Sequence, residues 1–559
     1  VNTSRGAIYG FHVDYGNDAS SLYFGDADVF LGIPYARAPV GHLRFAQTKP
    51  LLKFKSGYYN ASKHSKYCPQ TAHFDKNTMS ENCLKLNIFT PAVSGLLWND
   101  RFRCCSNAIY GGLTEGNARE LDIPGAITNF VSRDVIVVTV QYRVGVLGFF
   151  TTNTDDFPPN RGLHDAATAL NWVYDEIEAF GGNRSEITIF GISAGSSIVS
   201  ALTLSPLTRD IIHQAIMQSG SLLTMYDGYI RQPSKRSQIL AEMMCNCSAT
   251  EWESKRFGRL RQCMEHATMY FILDNDYEYG KQVNDFGWLI TADNLTLPDT
   301  PQTLAEQRPN IPVMIGTARD EFYYFVATVF QLNFVILNRF SFEGVRKENL
   351  ETISVREHST TLEDFNSTFH RTLFDRIVGN ITEKTELNEM IYELISAIYV
   401  RHGVPELSED DHERWLKTTV ETFGGLFFIA PIAKEIEWYR NGDNKDIFIY
   451  EFDYESDLVH TDRFDDWKPI SHTEEICFIF LSEECWKRGE RENRTVSMDH
   501  TIADRLGQLW TDFAKTGVPS PSWEPFDDID SFKYYSISSD PSMKCGYSDK
   551  HRYAWNDVS

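Results

Sequence analysis

Positive charge is what this chain most lacks: 53 lysines and arginines stand against 77 aspartates and glutamates, a formal net charge of −24. Nucleic acids and anionic membrane surfaces are both held by basic patches, so that balance argues against either as a partner. Long hydrophobic runs are missing too. The best, Phe325 to Leu337, is broken by Gln331 and Asn333 and falls short of the ~18–20 apolar residues of a membrane span. Low-complexity tracts, internal repeats and linkers rich in Pro, Gly or Ser are likewise absent, and 42% hydrophobic with 13% aromatic residues is an ordinary globular composition. Ten cysteines in 559 residues are too few for a disulfide scaffold. Neither an initiator methionine nor a charged-then-apolar leader precedes Val1, as after removal of a signal peptide or in a trimmed sequence.

Sequons, by contrast, are in excess. N-x-S/T occurs at Asn2, Asn60, Asn183, Asn246, Asn294, Asn366, Asn380 and Asn493, where composition alone gives roughly four. N-glycans are therefore expected, and cysteine pairs at loop-closing spacing agree with an oxidising place: secreted, extracellular or in the secretory-pathway lumen.

The stretch that carries chemistry is Glu186 to Leu204, EITIF-GISAG-SSIVSALTL. It reads as a buried strand over Glu186–Phe190, a tight Gly-x-Ser-x-Gly turn and an immediate helix. In that context the turn is a nucleophile elbow, which exposes the Ser193 hydroxyl above a sheet and over a helix N-terminus that favours negative charge. A serine hydroxyl attacks only when a base takes its proton, so a histidine and an orienting acid are required. By chain order these should follow as acid, then histidine.

The surrounding pattern alternates strands with helices. Asp134–Val140 is a β-branched run fit for burial on both faces, and Leu163, Ala167, Leu170, Val173 and Ile177 fall on one helical stripe ended by Gly181-Gly182. AIMQSGS (Ala215–Ser221), IPVMIG (Ile311–Gly316) and DIFIYEFDY (Asp446–Tyr454) read as further strands, Ile502, Leu506, Leu509 and Phe513 as a late helix. Gly6 to Tyr35 reads as short antiparallel strands, and Phe30 to Phe45 as irregular because of Pro34, Pro39 and Gly41. Helical periodicity also fills about 330–430. The class is α/β with a large, mostly parallel central sheet and helices on both faces, its active residues at the carboxyl ends of strands.

Several segments resemble one family closely. FLGIPYARAPVGHLRF (Phe30–Phe45), Cys68 with SENCLKLNIFTP (Ser80–Pro91), NRGLHDAATALNWV with AFGGNRSEITIFGISAGS, GTARDE (Gly316–Glu321), the His472–Phe480 motif HTEEICFIF and LGQLWTDFAKTGVPSPSW are similar to type-B carboxylesterases, which include cholinesterases and the neuroligin-like adhesion proteins. The resemblance implies one α/β-hydrolase domain over 1–559 with a helical insertion at roughly 330–430. It implies Ser193, Glu321 and His472 as the triad, choosing Glu321 over the neighbouring Asp320 and His472 among fifteen histidines. Glu475 and His164 are expected to be structural. The oxyanion hole falls to the amides of Gly111, Gly112 and Ala194. Ion pairs Arg44–Glu81 and Arg143–Asp165 and a Cys68–Cys83 disulfide are implied as well. A second disulfide joins Cys263 to Cys245 or Cys247, with Cys247 taken as the partner. No metal or organic cofactor is implied.

The chain departs from the family pattern at several places, His164 and Ala166 (where a glutamine is usual) among them, and three bear most on chemistry. WNDRFRCCSNAIYGGLTEG has a barely apolar strand and a glycine turn one residue short, just where the oxyanion donors should lie. Ile192 stands where a glutamate is frequent. The Cys68–Cys83 loop holds no tryptophan, only Phe74, so the cation–π site of choline-ester specialists is not expected. The reading is a serine hydrolase acting on a small-molecule carboxylic ester through an acyl-enzyme. The alternative is a catalytically silent adhesion or scaffold protein of the neuroligin type, disfavoured because all three triad residues are present.

Overall fold

The computed structural model describes residues 1–71, 76–92, 103–109, 113, 116, 123–226, 235–283, 287–325, 417, 420–421, 423–464, 466–527 and 531–547. Its strands in chain order are β1 (Asn2–Thr3), β2 (Gly6–Tyr9), β3 (Phe11–Asp14), β4 (Asp26–Pro34), β5 (Tyr58–Asn60), β6 (Lys85–Pro91), β7 (Arg103–Ile109), β8 (Val135–Val140), β9 (Thr188–Ile192), β10 (Gln214–Gln218), β11 (Val313–Ala318), β12 (Ile447–Phe452), β13 (Tyr534–Ile537) and β14 (Ser542–Lys544). Three of them, β1-β2-β5, make a small sheet; the other eleven form one large sheet in the order β14-β13-β12-β11-β10-β9-β7-β8-β6-β4-β3.

From β8 through β7, β9, β10, β11 and β12 to β13 every neighbouring pair is parallel, and antiparallel pairs close both edges. Most of the parallel strands are apolar, as strands covered by helices on both faces are: β8 reads VIVVTV, and its six residues are all buried. The helix Arg161–Glu176 buries Leu163, Ala167, Leu170 and Val173, and Gly181, at φ 89°, ends the turn that follows. The helix Ser497–Thr516 buries Ile502, Leu506, Leu509 and Phe513 and stops at Gly517, φ 75°.

Some sequence boundaries move. The strand expected at Glu186–Phe190 runs Thr188–Ile192, so Gly191 and Ile192 are still strand. Pro34 closes β4 instead of breaking it; the pairing of β4 with β6 absorbs the irregular chain by a register shift between Phe30 and Ile33. The weakly apolar stretch at Arg103–Ile109 is nevertheless a strand inside the parallel array, between β8 and β9, with a register shift between Cys104 and Asn107. Of the helical insertion expected at 330–430, residues 330–416 lie outside the described residues, and the chain returns in a π-turn at Gly425–Ile429 that runs into the helix Ala430–Asn441.

Buried ion pairs tie distant segments to this frame. Arg143 meets Asp165 through two side-chain bonds (2.7 and 2.8 Å) and reaches the carbonyls of Arg44 and Ala46 (3.1 and 2.9 Å). Arg44 in turn pairs with Glu81 at 2.6 and 3.0 Å. Cys68 and Cys83 are joined as a disulfide. The second bridge corrects the sequence reading: Cys263 pairs with Cys245, and Cys247 is a free, buried thiol. Cys245 ends the helix Arg236–Cys245, and Asn246, at φ 51°, reverses the chain so that Cys247 leaves in another direction.

Candidate active site

The elbow is built by local backbone geometry. Ser193 follows the last residue of β9 and precedes the helix Ala194–Leu204, with φ 58° and ψ −128°. A non-glycine residue held there costs on the order of 1–3 kcal/mol, so the surroundings must fix it. They do: the Ser193 N–H donates to the Gln218 carbonyl (2.8 Å), and the Ser193 carbonyl accepts from the Ser197 N–H (3.1 Å). Gly220 is required by close approach, since a Cβ there would stand 2.4 Å from the Ser193 carbonyl oxygen. The hydroxyls of Ser196 and Ser197 donate to the carbonyls of Gly220 and Ser221, both at 2.6 Å, and stitch the elbow helix to the turn after β10. Ser193 itself is half-buried, and Ala194 opens the helix with its N–H at the positive end of the helix dipole.

The candidate acid and base, Glu321 and His472, are assembled differently, by side chains 151 residues apart. Glu321 follows β11 by three residues. One of its oxygens accepts the Ala318 N–H at 2.8 Å, and the other lies 2.5 Å from Nδ1 of His472. Both side chains are buried, 1% and 4% exposed. Asp320, the competing carboxylate, is turned away: it accepts from the Ile470 N–H (2.9 Å), the Trp467 indole N–H (3.1 Å) and Arg319 (3.0 Å). It braces the loop that delivers His472. Burial pushes its carboxyl up, and the Arg319 charge opposes that.

With Nδ1 committed to Glu321, the His472 Nε2 is buried and makes no hydrogen bond among the described residues. The ring is walled by Phe428 (4.8 Å between centroids), Phe325 (5.3 Å) and Tyr324 (6.3 Å). A carboxylate at Nδ1 favours the ring proton on that nitrogen and leaves Nε2 as the one able to accept.

Glu475 is fully buried, and its carboxyl is pushed up to about 8, first by burial and then by the Glu321 charge. It accepts from the Gln218 side-chain N–H (3.3 Å), and the Gln218 oxygen accepts from the Trp510 indole (3.2 Å). Gln218 was invisible as a site residue in the sequence, although a polar side chain ending an apolar strand beside the elbow was its signal. Phe428 had none. His164 is held below its usual range by burial. Gly111 and Gly112 lie outside the described residues. Leu113, just after them, is buried, and its carbonyl accepts from the Gly145 N–H (2.7 Å).

Residues 1–555 match the carboxylesterase family. The chain belongs to that family. As a family member it is a carboxylic ester hydrolase. Among curated relatives it is 28% identical to gut esterase 1 of Caenorhabditis briggsae, over all of this chain and 92% of that protein. It is 26% identical to carboxylesterase 1C of Rattus norvegicus (97% of this chain, 91% of the relative) and 25% to acetylcholinesterase 1 of Caenorhabditis briggsae (91% and 78%). The resemblance read from the motifs is thus a family membership over nearly the whole chain, and the mixed sheet with flanking helices is the α/β-hydrolase architecture that goes with it. Among the described residues no helix is long and apolar enough to cross a membrane.

Proposed function

We propose that the protein cleaves small carboxylic esters through an acyl-enzyme on Ser193, with His472 as general base and acid and Glu321 as its orienting carboxylate. The observation that carries this reading is the buried 2.5 Å contact between Glu321 and His472 Nδ1, which leaves Nε2 as the free nitrogen of the ring. Ser193 Oγ attacks the carbonyl carbon while Nε2 takes its proton. The resulting oxyanion faces the Ala194 N–H, with the amides of Gly111 and Gly112 as the remaining donors. The tetrahedral species collapses, the alcohol leaves with the proton from Nε2, and water then attacks the acyl group. Nε2 accepts the water's proton and returns it to Ser193 Oγ as the acid departs.

The loop between Cys68 and Cys83 has no tryptophan to hold a quaternary ammonium, which favours an ester without a cation-bearing alcohol. Secretion with N-glycosylation is part of the same proposal. It is supported by the two disulfides and by the exposure of Asn2, Asn60, Asn246, Asn294 and Asn493.

A fluorophosphonate probe tests the mechanism. Ser193-dependent labelling, absent in Ser193→Ala, is expected, together with turnover of short-chain aryl esters. Turnover that survives His472→Ala would overturn the assignment of the base.

A further inference from the structure

Two thiols sit directly behind the catalytic histidine segment. Cys477 belongs to the short helix Ile476–Ile479 and Cys485 to the helix Glu483–Arg491, and both are free. The chain between them is folded back on itself: the Cys477 carbonyl accepts from the Ser482 N–H (3.3 Å) and from the indole N–H of Trp486 (2.9 Å). Trp486 is fully buried with its indole on the Cys477 carbonyl, so its neighbour Cys485 is carried beside Cys477, near enough for the two thiols to act on each other electrostatically. Cys477 is 4% exposed, while Cys485 is half-buried and packs on the same core. Cys477 is also wired to the histidine turn, because its N–H donates to the carbonyl of Glu474, two residues after His472 (3.3 Å). The next residues are fixed from another side, where Asn129 donates to the carbonyls of Phe478 and Ile479 (3.0 and 2.8 Å).

We propose that Cys477 and Cys485 are a modification site that closes as a disulfide additional to the two among the described residues, bracing the turn that presents His472. The oxidant is a disulfide donor of the glutathione-disulfide or protein-disulfide class, which the two disulfides already present require in any case. The more accessible Cys485 attacks first as thiolate, forms a mixed disulfide and releases one thiolate of the donor. Cys477 then gives up its proton, attacks the Cys485 sulfur and expels the second donor thiol. Two protein thiols lose two electrons and two protons in total, and the donor disulfide becomes two thiols. The order follows from exposure, and burial also holds the Cys477 thiol well above its usual range, which suits it to the second, intramolecular step.

The test uses the full chain secreted from eukaryotic cells, alkylated in denaturant without reductant. A glutamate-specific protease cuts between the cysteines at Glu483 and Glu484. The fragments carrying Cys477 and Cys485 are expected to stay joined until reductant is added, while Cys247 carries the alkyl group. Alkyl groups on both Cys477 and Cys485, or either joined to a different cysteine, would overturn the proposal. The bracing role is read from Cys485→Ser, which should turn over a short-chain aryl ester at the parent rate at room temperature but lose that activity faster on heating. Equal rates of heat inactivation would leave the bond without the bracing role and overturn that part. If the parent shows no ester turnover, the catalytic reading fails separately, and bracing is measured instead as amide-exchange protection over 472–487, expected to fall in the variant.

Discussion

The elbow at Ser193 and the carboxylate Glu321, paired with His472, lie beyond the carboxyl ends of the parallel strands β9 and β11 but are held by different means. At the elbow the backbone does the holding: a strained φ, a β9-to-β10 hydrogen bond continued one residue past the strand, and a glycine that lets two turns touch. At the pair, side chains do it. Glu321 is anchored to Ala318, Asp320 holds the loop before His472, and the aromatic rings confine the imidazole. A backbone device is specified by residues adjacent in sequence; a side-chain device depends on tertiary structure and fails one contact at a time.

The sharpest test of that contrast is at the two neighbouring carboxylates. Glu321→Gln keeps the side-chain volume but presents the wrong partner to Nδ1, and it should lower kcat by about 10⁴-fold while the protein stays folded. Asp320→Asn instead weakens the bonds to Arg319, Trp467 and the Ile470 N–H, so it should destabilise by about 1–3 kcal/mol with kcat changed much less. Steady-state kinetics alongside denaturant melts separates the two. Equal kinetic losses would mean that the pair is not divided into one orienting and one bracing acid.

On the elbow side, Gly220→Ala places a methyl group where the Ser193 carbonyl oxygen already is. Overpacking of this kind costs about 1–3 kcal/mol. Because the atom displaced belongs to Ser193, the proposed nucleophile, a shift approaching 1 Å should also cut kcat by about 10²-fold. Thermal melts and fluorophosphonate labelling rates should fall together. A slow but stable protein would mean that the strain is relieved elsewhere.

The same division explains what could be read from the chain. GISAG was legible without help because strand, turn and helix are adjacent, and so was the parallel sheet, whose β-branched runs are buried on both faces. Glu321 and His472 were reachable only through the family motifs, since nothing local distinguishes Glu321 from Asp320; the hydrogen bonds that do so come from β11, Trp467 and Ile470. Between Cys245 and Cys247 the sequence does not decide, because spacing says how far a loop reaches and nothing about which way a Cβ points after a left-handed residue such as Asn246. The Cys104–Asn107 irregularity shows the converse, a poorly apolar segment recruited into the sheet by the strands on either side.

The change with the smallest effect expected on turnover is also the one that best separates electrostatics from packing. Glu475 stands against Gln218 beneath the elbow and carries a carboxyl raised from 4.5 to about 8. In the unfolded chain the group loses its proton near its ordinary value, whereas the folded protein keeps it to about 8. Between those limits the native state binds more protons, so this group's contribution to stability falls as pH rises, by about 1.4 kcal/mol per pH unit, and is fully present only below the lower limit. Glu475→Gln keeps a neutral group of similar shape at every pH. It should leave kcat near neutrality within about threefold of the parent, since Glu475 bonds Gln218 and makes no hydrogen bond to His472 Nε2. Its denaturant midpoint, compared with the parent from pH 5 to pH 9, should gain steadily on the alkaline side. A pH-independent difference between the two would place Glu475 in its charged form in the native protein, and the negative charge beneath His472 would then come from two carboxylates, not from Glu321 alone.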